Sequence, residues 1–180
     1  MRFEAIFRSH ADVVRAYVLR RADPDEAEDV VADTFLVAWR RLDDVPEQAR
    51  PWLLGVARRV LANRRRGADR LLSVTDRLTE REQRRPPDGA NDEADLRLTL
   101  GPALDRLPEK EQEALCLLAW EGLTAQEAAA VVGCTQATFA VRLHRARRRL
   151  ATLIADEATG PLDTGRGAAS RHPDREGELT

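Results

Sequence analysis

Five arginines, Arg142, Arg145, Arg147, Arg148 and Arg149, fall within eight residues of one another, with His144 among them. A second basic group runs from Arg58 to Arg66. Every basic side chain but Lys110 is an arginine, and a guanidinium offers the planar donor fork that suits phosphate and base edges. The segment Asp23 to Asp33 carries the opposite charge. Two basic clusters on a chain of net charge −2 predict two contact points on a polyanion. Catalysis has no comparable signal. His10, His144 and His172 are scattered, no nucleophile–base pair can be argued, and Glu28-Asp29 reads as a helix start. Cys116 and Cys134 form neither a disulfide framework nor a metal set and suit simple burial. No metal, cofactor or enzymatic activity is expected.

The elements that must position the first cluster are legible between Leu123 and Leu150. Thr124-Ala125-Gln126-Glu127 has the form of a capping box opening a short helix that ends at Gly133. Thr135 then caps a longer helix from about Gln136 to Ile154. This is a helix-turn-helix. At 100° per residue Phe139, Leu143, Ala146 and Leu150 fall within about 60° of one another and must face a core. The opposite face presents Ala137, Val141, His144 and Arg148, flanked by Ala140 and Arg145. Such a helix fits the major groove, with its early residues at base edges and Arg142, Arg145, Arg147, Arg148 and Arg149 reaching phosphates. A solvated basic helix end is the plainer reading, but it leaves the turn at Gly133 and the capped helix before it unexplained.

The second cluster sits on a helix opened by Pro51, whose stripe is Leu53, Val56, Ala57 and Val60. Arg58, Arg59, Arg65 and Arg66 spread over the other half, with Asn63 at its edge, a surface that could follow a nucleic-acid backbone. Trp52 could stack on a base, although its spacing suits the core better. Before it, Phe3, Phe7, Val14, Tyr17 and Val18 predict one amphipathic helix. Val31, Phe35, Ala38, Trp39 and Leu42 predict another after a turn at Asp23-Pro24-Asp25. Glu26, Asp29 and Asp33 lie away from that stripe with Leu36 and Val37 partly exposed nearby. This face reads equally well as a protein-docking surface and as a solvated helix start.

Composition agrees with helices. Aromatics are 4% and charged residues 33%, so the core must be aliphatic and alanine-rich. No apolar run approaches the roughly 20 residues of a membrane span, and Met1 to Phe7 lacks a secretory pattern, so a cytoplasmic location is expected. The expected class is all-α, with two small helical domains joined by a flexible linker and a helix-turn-helix in the C-terminal one. The boundaries read as 1–68, a linker at 69–95, 96–155 and a disordered tail at 156–180. In the second domain Leu100, Leu104 and Leu107 suit a helix closed by Pro108. Glu109 to Trp120 suits another, burying Leu115, Leu118 and Ala119.

Taken together these motifs resemble the bacterial RNA polymerase sigma factors of the extracytoplasmic-function (ECF) subfamily. The segment Glu26-Ala27-Glu28-Asp29-Val30-Val31-Ala32-Asp33-Thr34-Phe35-Leu36-Val37-Ala38-Trp39 is similar to the family's polymerase-binding helix. Arg50-Pro51-Trp52-Leu53-Leu54-Gly55-Val56-Ala57-Arg58-Arg59 is similar to its promoter-melting helix. Thr138 and Arg142-Leu143-His144-Arg145-Ala146-Arg147 are similar to its recognition helix. The resemblance implies that Glu26, Asp29, Asp33, Leu36, Val37 and Arg40 bind the clamp helices of the largest subunit of core polymerase, with the flap as a further contact. It implies that Trp52, Arg58, Arg59, Asn63, Arg65 and Arg66, with the loop Asp43 to Ala49, hold the melted −10 strand. It implies that Thr135, Gln136, Ala137, Thr138, Ala140, Val141, Arg142, His144, Arg145 and Arg148 read the −35 duplex. The linker would thread toward the RNA exit path, and an anti-sigma factor becomes an expected partner.

The chain departs from the family pattern at three places. Arg59 stands where many members carry asparagine, Ala140 replaces a common basic residue and Val141 a common serine. An exposed valine there can pack on a thymine methyl, which predicts an atypical −35 preference. A free-standing helix-turn-helix regulator is the alternative function, but it needs a dimerisation seam and no sustained heptad is present. An RNA-binding adaptor would leave the helix-turn-helix unexplained.

Overall fold

The computed structural model describes residues 1–72 and 100–158, and among these the chain is helical without strands. The first half holds α1 (Arg2–Leu19), α2 (Pro24–Arg40), a single 3-10 turn (Leu42–Asp44) and α3 (Ala49–Leu72). The second holds α4, described over 100–105, then α5 (Glu109–Ala119), α6 (Ala125–Val132) and α7 (Gln136–Ala158). Most of the expected linker and the tail beyond 158 lie outside the described residues. The helix opened near Pro51 runs past 68, through Leu72.

Local chemistry sets the helix limits. Asp23 is extended and Pro24 occupies the first turn of α2, where a missing N–H costs nothing. Asp25 and Glu26 in that turn and Arg40 in the last complement the helix dipole. Thr34 sits fully buried in mid-helix because its hydroxyl donates to the Val30 carbonyl at 2.7 Å. At the end of α5, Gly122 takes φ +57°, which lets the Leu123 N–H return to the Leu117 carbonyl at 3.1 Å.

The three long helices of the first half pack on one another, as α5, α6 and α7 do in the second. The halves are not separate bodies. Helix α3 also packs on α6, and one apolar cluster runs from Val14, Tyr17 and Phe35 through Leu53, Leu54 and Leu61 to Leu117, Val131 and Phe139. That is why α3 buries Leu54, Gly55 and Leu61 in addition to the predicted stripe, while Val60 is only half-buried.

Several expected core positions fall elsewhere, Phe7 of α1 among them, which is exposed. Trp39 is 58% exposed, because the inward side of α2 is centred on Ala27, Val30, Thr34 and Ala38. Its ring lies at the rim, edge-on to Phe3 with centroids 5.0 Å apart. In α5 the core is taken by Ala114 and Leu117, a step round the helix from the predicted face. Leu115 and Leu118 are half-buried and Ala119 is exposed.

Candidate nucleic-acid interface

The reading head is built by two caps and one left-handed residue. The Glu127 N–H donates to the Thr124 hydroxyl at 3.3 Å, and the Thr124 N–H donates to the Glu127 carboxylate at 2.8 Å, closing the predicted box. The Thr124 hydroxyl also donates to the Glu127 carboxylate at 2.7 Å, and the two bonds from the Thr124 N–H and hydroxyl hold that carboxyl below its ordinary value. Helix α6 ends at Gly133, whose φ of +74° only glycine adopts readily, and the chain turns into α7 there. The Thr138 N–H donates to the Thr135 hydroxyl at 3.2 Å, so Thr135 caps α7.

Phe139 and Ala146 have no exposed surface and Leu143 has little, so α7 is seated as the wheel requires. Its outer face is open. Gln136, Ala137, Thr138, Ala140, His144, Arg145 and Arg148 are exposed, as is Thr135 before it. Val141 keeps 52% of its surface, and Arg142 is half-buried. Arg142, Arg145, Arg147 and Arg148 form no ion pair among the described residues. Arg149 differs from expectation. It turns back to the buried Glu111 at 3.0 Å and braces α7 on α5.

The α3 cluster is partly engaged within the chain. Arg59, Asn63 and Arg66 are exposed, with Arg66 donating to the Asn63 side-chain oxygen. Trp52 is half-buried against the core, as its spacing favoured. Arg58 grips Glu113 of α5 with two bonds of 2.7 and 3.0 Å, which raise the guanidinium pKa further. Arg65 reaches Glu109 at 3.3 Å and the Arg21 carbonyl at 2.8 Å. On α2, Asp33 and Asp29 pair with Arg64 at 2.7 and 3.5 Å, so these carboxylates tie α2 to α3 while still partly exposed. Glu26 and Val37 are half-buried, and Leu36 and Arg40 exposed.

The order of an α2-type acidic helix, an arginine-lined α3 and a helix-turn-helix is matched by known families. Residues 6–71 match sigma-70 region 2 and residues 98–150 match sigma-70 region 4. The ECF RNA polymerase sigma factor SigL of Mycobacterium tuberculosis is 34% identical over 152 residues, covering 81% of this chain and 85% of the relative. The chain belongs to the ECF RNA polymerase sigma factors. EcfG of Rhodopseudomonas palustris, another member, is 31% identical over 85% of the chain and 87% of its own length. Among solved structures, the sigma factor RpoE of Bartonella quintana, in complex with the anti-sigma factor NepR, aligns with a TM-score of 0.65 at 26% identity. That alignment covers 85% of this chain and 96% of that one. CnrH, in complex with the cytosolic domain of CnrY, aligns at 0.57 and 28%, covering 88% and 89%.

As a sigma factor the chain directs promoter-specific initiation by core RNA polymerase, which disposes of the free-standing regulator. Among the described residues no helix is long and apolar enough to cross a membrane, and no group of three metal-ligating side chains assembles. The sequence reading missed Glu121. It is 1% exposed and bonded by Arg20 and Arg21, and its carbonyl accepts from Arg50. Its one signal was a carboxylate inside the apolar run Ala114 to Leu123.

Proposed function

We propose that the outer face of α7 reads the −35 duplex, with Thr135, Gln136, Ala137, Thr138, Ala140, Val141 and His144 toward base edges and Arg142, Arg145 and Arg148 toward phosphates. Arg59, Asn63 and Arg66, joined by Arg58, Arg65 and Trp52, hold the melted −10 strand. Glu26, Asp29, Asp33, Leu36, Val37 and Arg40 dock on the clamp helices of core polymerase, and the second half contacts the flap. In this reading 1–68 and 96–155 are the working domains and 69–95 the connection between them. The cytoplasm, where polymerase and promoters are, is its place of action, and it acts without catalysis of its own.

The observation that carries the reading is the seating of α7. Phe139 and Ala146 are fully buried, while Val141 and His144 stay open after the left-handed turn at Gly133. The sigma factor RpoE, of similar fold, is held by the anti-sigma factor NepR, and an anti-sigma factor is the partner proposed for this chain as well. Permanganate footprinting of promoter thymines, with holoenzyme reconstituted from core and this chain, tests the strand assignment. Arg59→Ala and Asn63→Ala should reduce melting at the −10 element while leaving −35 protection in place. Loss of both together, or of neither, would contradict the division of labour.

A further inference from the structure

The guanidinium of Arg2, at the start of α1, is bound to backbone and not to a carboxylate. Its Nη1 donates to the Leu42 carbonyl at 2.7 Å and its Nη2 to the Val45 carbonyl, 40 and 43 positions along the chain. These oxygens stand at the entry and exit of the 3-10 turn between α2 and α3. The turn itself is held loosely. The Val45 N–H reaches the Leu42 carbonyl only at 3.3 Å, and the Arg41–Asp44 pair is exposed and contributes little. At Val45 the chain leaves helical geometry (φ −71°, ψ 118°), and the carbonyl there takes its bond from Arg2. We infer that Arg2 is a positioning residue for promoter melting: its two-pronged hold fixes the arch from Val45 to Ala49 in the shape that receives the −10 strand. The inference rests on reading the loop Asp43 to Ala49 as a strand contact.

The two feet of the arch are set in the core, since Val45 and Ala49 are each 2% exposed. Between them Pro46, Glu47 and Gln48 are exposed, and the Ala49 N–H returns to the Glu47 carbonyl at 3.1 Å as α3 begins. Buried side chains fix where the arch stands but leave the peptide plane after Val45 free to turn. A rigid, planar, charged donor bound on both sides of the turn removes that freedom. The donor is itself held in place. Its neighbour Phe3 packs edge-on to Trp39 and Phe35, with centroids 5.0 and 6.5 Å away, which keeps the start of α1 beside the end of α2. A lysine would carry the same charge on a single nitrogen, which does not span both oxygens as the fork does. The arch leads directly into α3, the helix that carries Arg59, Asn63 and Arg66, so a strand following that helix toward its N-terminus arrives at the arch.

Three full-length variants, each reconstituted into holoenzyme with core polymerase, test the role. Arg2→Leu removes both bonds and keeps apolar bulk, Arg2→Lys keeps the charge, and Glu47→Ala with Gln48→Ala clears the arch. The base analogue 2-aminopurine, placed singly along the non-template −10 strand, reports the unstacking of each base, and footprinting reports −35 protection. Arg2→Leu should lower the melting equilibrium at least about tenfold, the scale of two lost charge-assisted bonds, and Arg2→Lys at least about threefold. Protection at −35 and the salt slope of promoter binding should match the wild type. In the arch-cleared protein Arg2→Leu should add nothing, because its effect passes through the arch. Wild-type melting by either Arg2 variant overturns the inference. So does a salt slope lower by about one, which would make Arg2 itself a phosphate contact, or an undiminished Arg2→Leu loss in the cleared protein. If clearing the arch leaves melting intact, the strand assignment of the loop fails. If clearing it lowers melting and Arg2→Leu does not, only the positioning role fails.

Discussion

The departure at Val141 gives the sharpest test of how this sigma factor selects promoters. Its side chain keeps about half of its surface exposed on the outer face of α7, between Ala137 and His144. Complete burial of a valine is worth about 1.5–3 kcal/mol, so packing the exposed half on a thymine methyl gains about 1 kcal/mol, roughly a fivefold preference. Val141→Ser trades that contact for a hydroxyl that bonds several base edges. Sites selected from a randomised −35 region by the wild-type holoenzyme should therefore contain one thymine that the serine variant no longer demands. Replacing that thymine by deoxyuridine removes the methyl group alone. Wild-type affinity should fall about fivefold, and the serine variant should bind both templates equally. Identical selected sites, or an equal deoxyuridine penalty in both proteins, would refute the contact.

Four further outcomes follow from the same geometry. Arg145 is exposed and without an ion pair among the described residues, so as a phosphate contact its change to alanine should lower the salt slope of holoenzyme–promoter binding by about one and weaken all sequences alike. A base-specific loss would contradict that role. Thr124→Ala removes the acceptor for the Glu127 N–H and should cost about 1 kcal/mol of stability in urea titration at pH 7. Glu127 sits below its ordinary value of 4.5 when folded, so its contribution is complete above pH 4.5 and is lost as pH falls through the folded value. The deficit of Glu127→Ala should shrink on acidification, and a constant deficit would disprove the linkage. Burial pushes the Cys116 thiol up to about 12, leaving about one thiol in ten thousand ionised at pH 8. A thiol reagent should label one cysteine per folded chain and the second only on unfolding.

The caps and the wheel were legible because they are local. Thr124 with Glu127, Gly133 and the stripe Phe139, Leu143 and Ala146 fix the helix-turn-helix within a short window, and each sits where spacing placed it. Trp39 was misplaced for the complementary reason. Periodicity gives a direction round α2 but not where its neighbours end, and Trp39 lies at that rim, edge-on to Phe3 of α1. The packing of α3 on α6 was not legible at all. It depends on a glycine that leaves room for a backbone and on carboxylates whose partners lie far away in the chain, Arg58 with Glu113 and Arg20 with Glu121. Such pairs leave no periodic trace. Arg149 illustrates the same limit, since charge density alone cannot tell an arginine that faces solvent from one that braces its own helix on Glu111.

Whether this chain selects promoters for the polymerase is decided by transcription in vitro from fragmented DNA of the source genome, with core polymerase alone, this chain alone and the two combined. Discrete start sites should appear only in the combined reaction, sharing two short elements at the spacing of one holoenzyme. A chain that grips duplex sites by itself as a dimer, and gives the polymerase no choice of start, would contradict it.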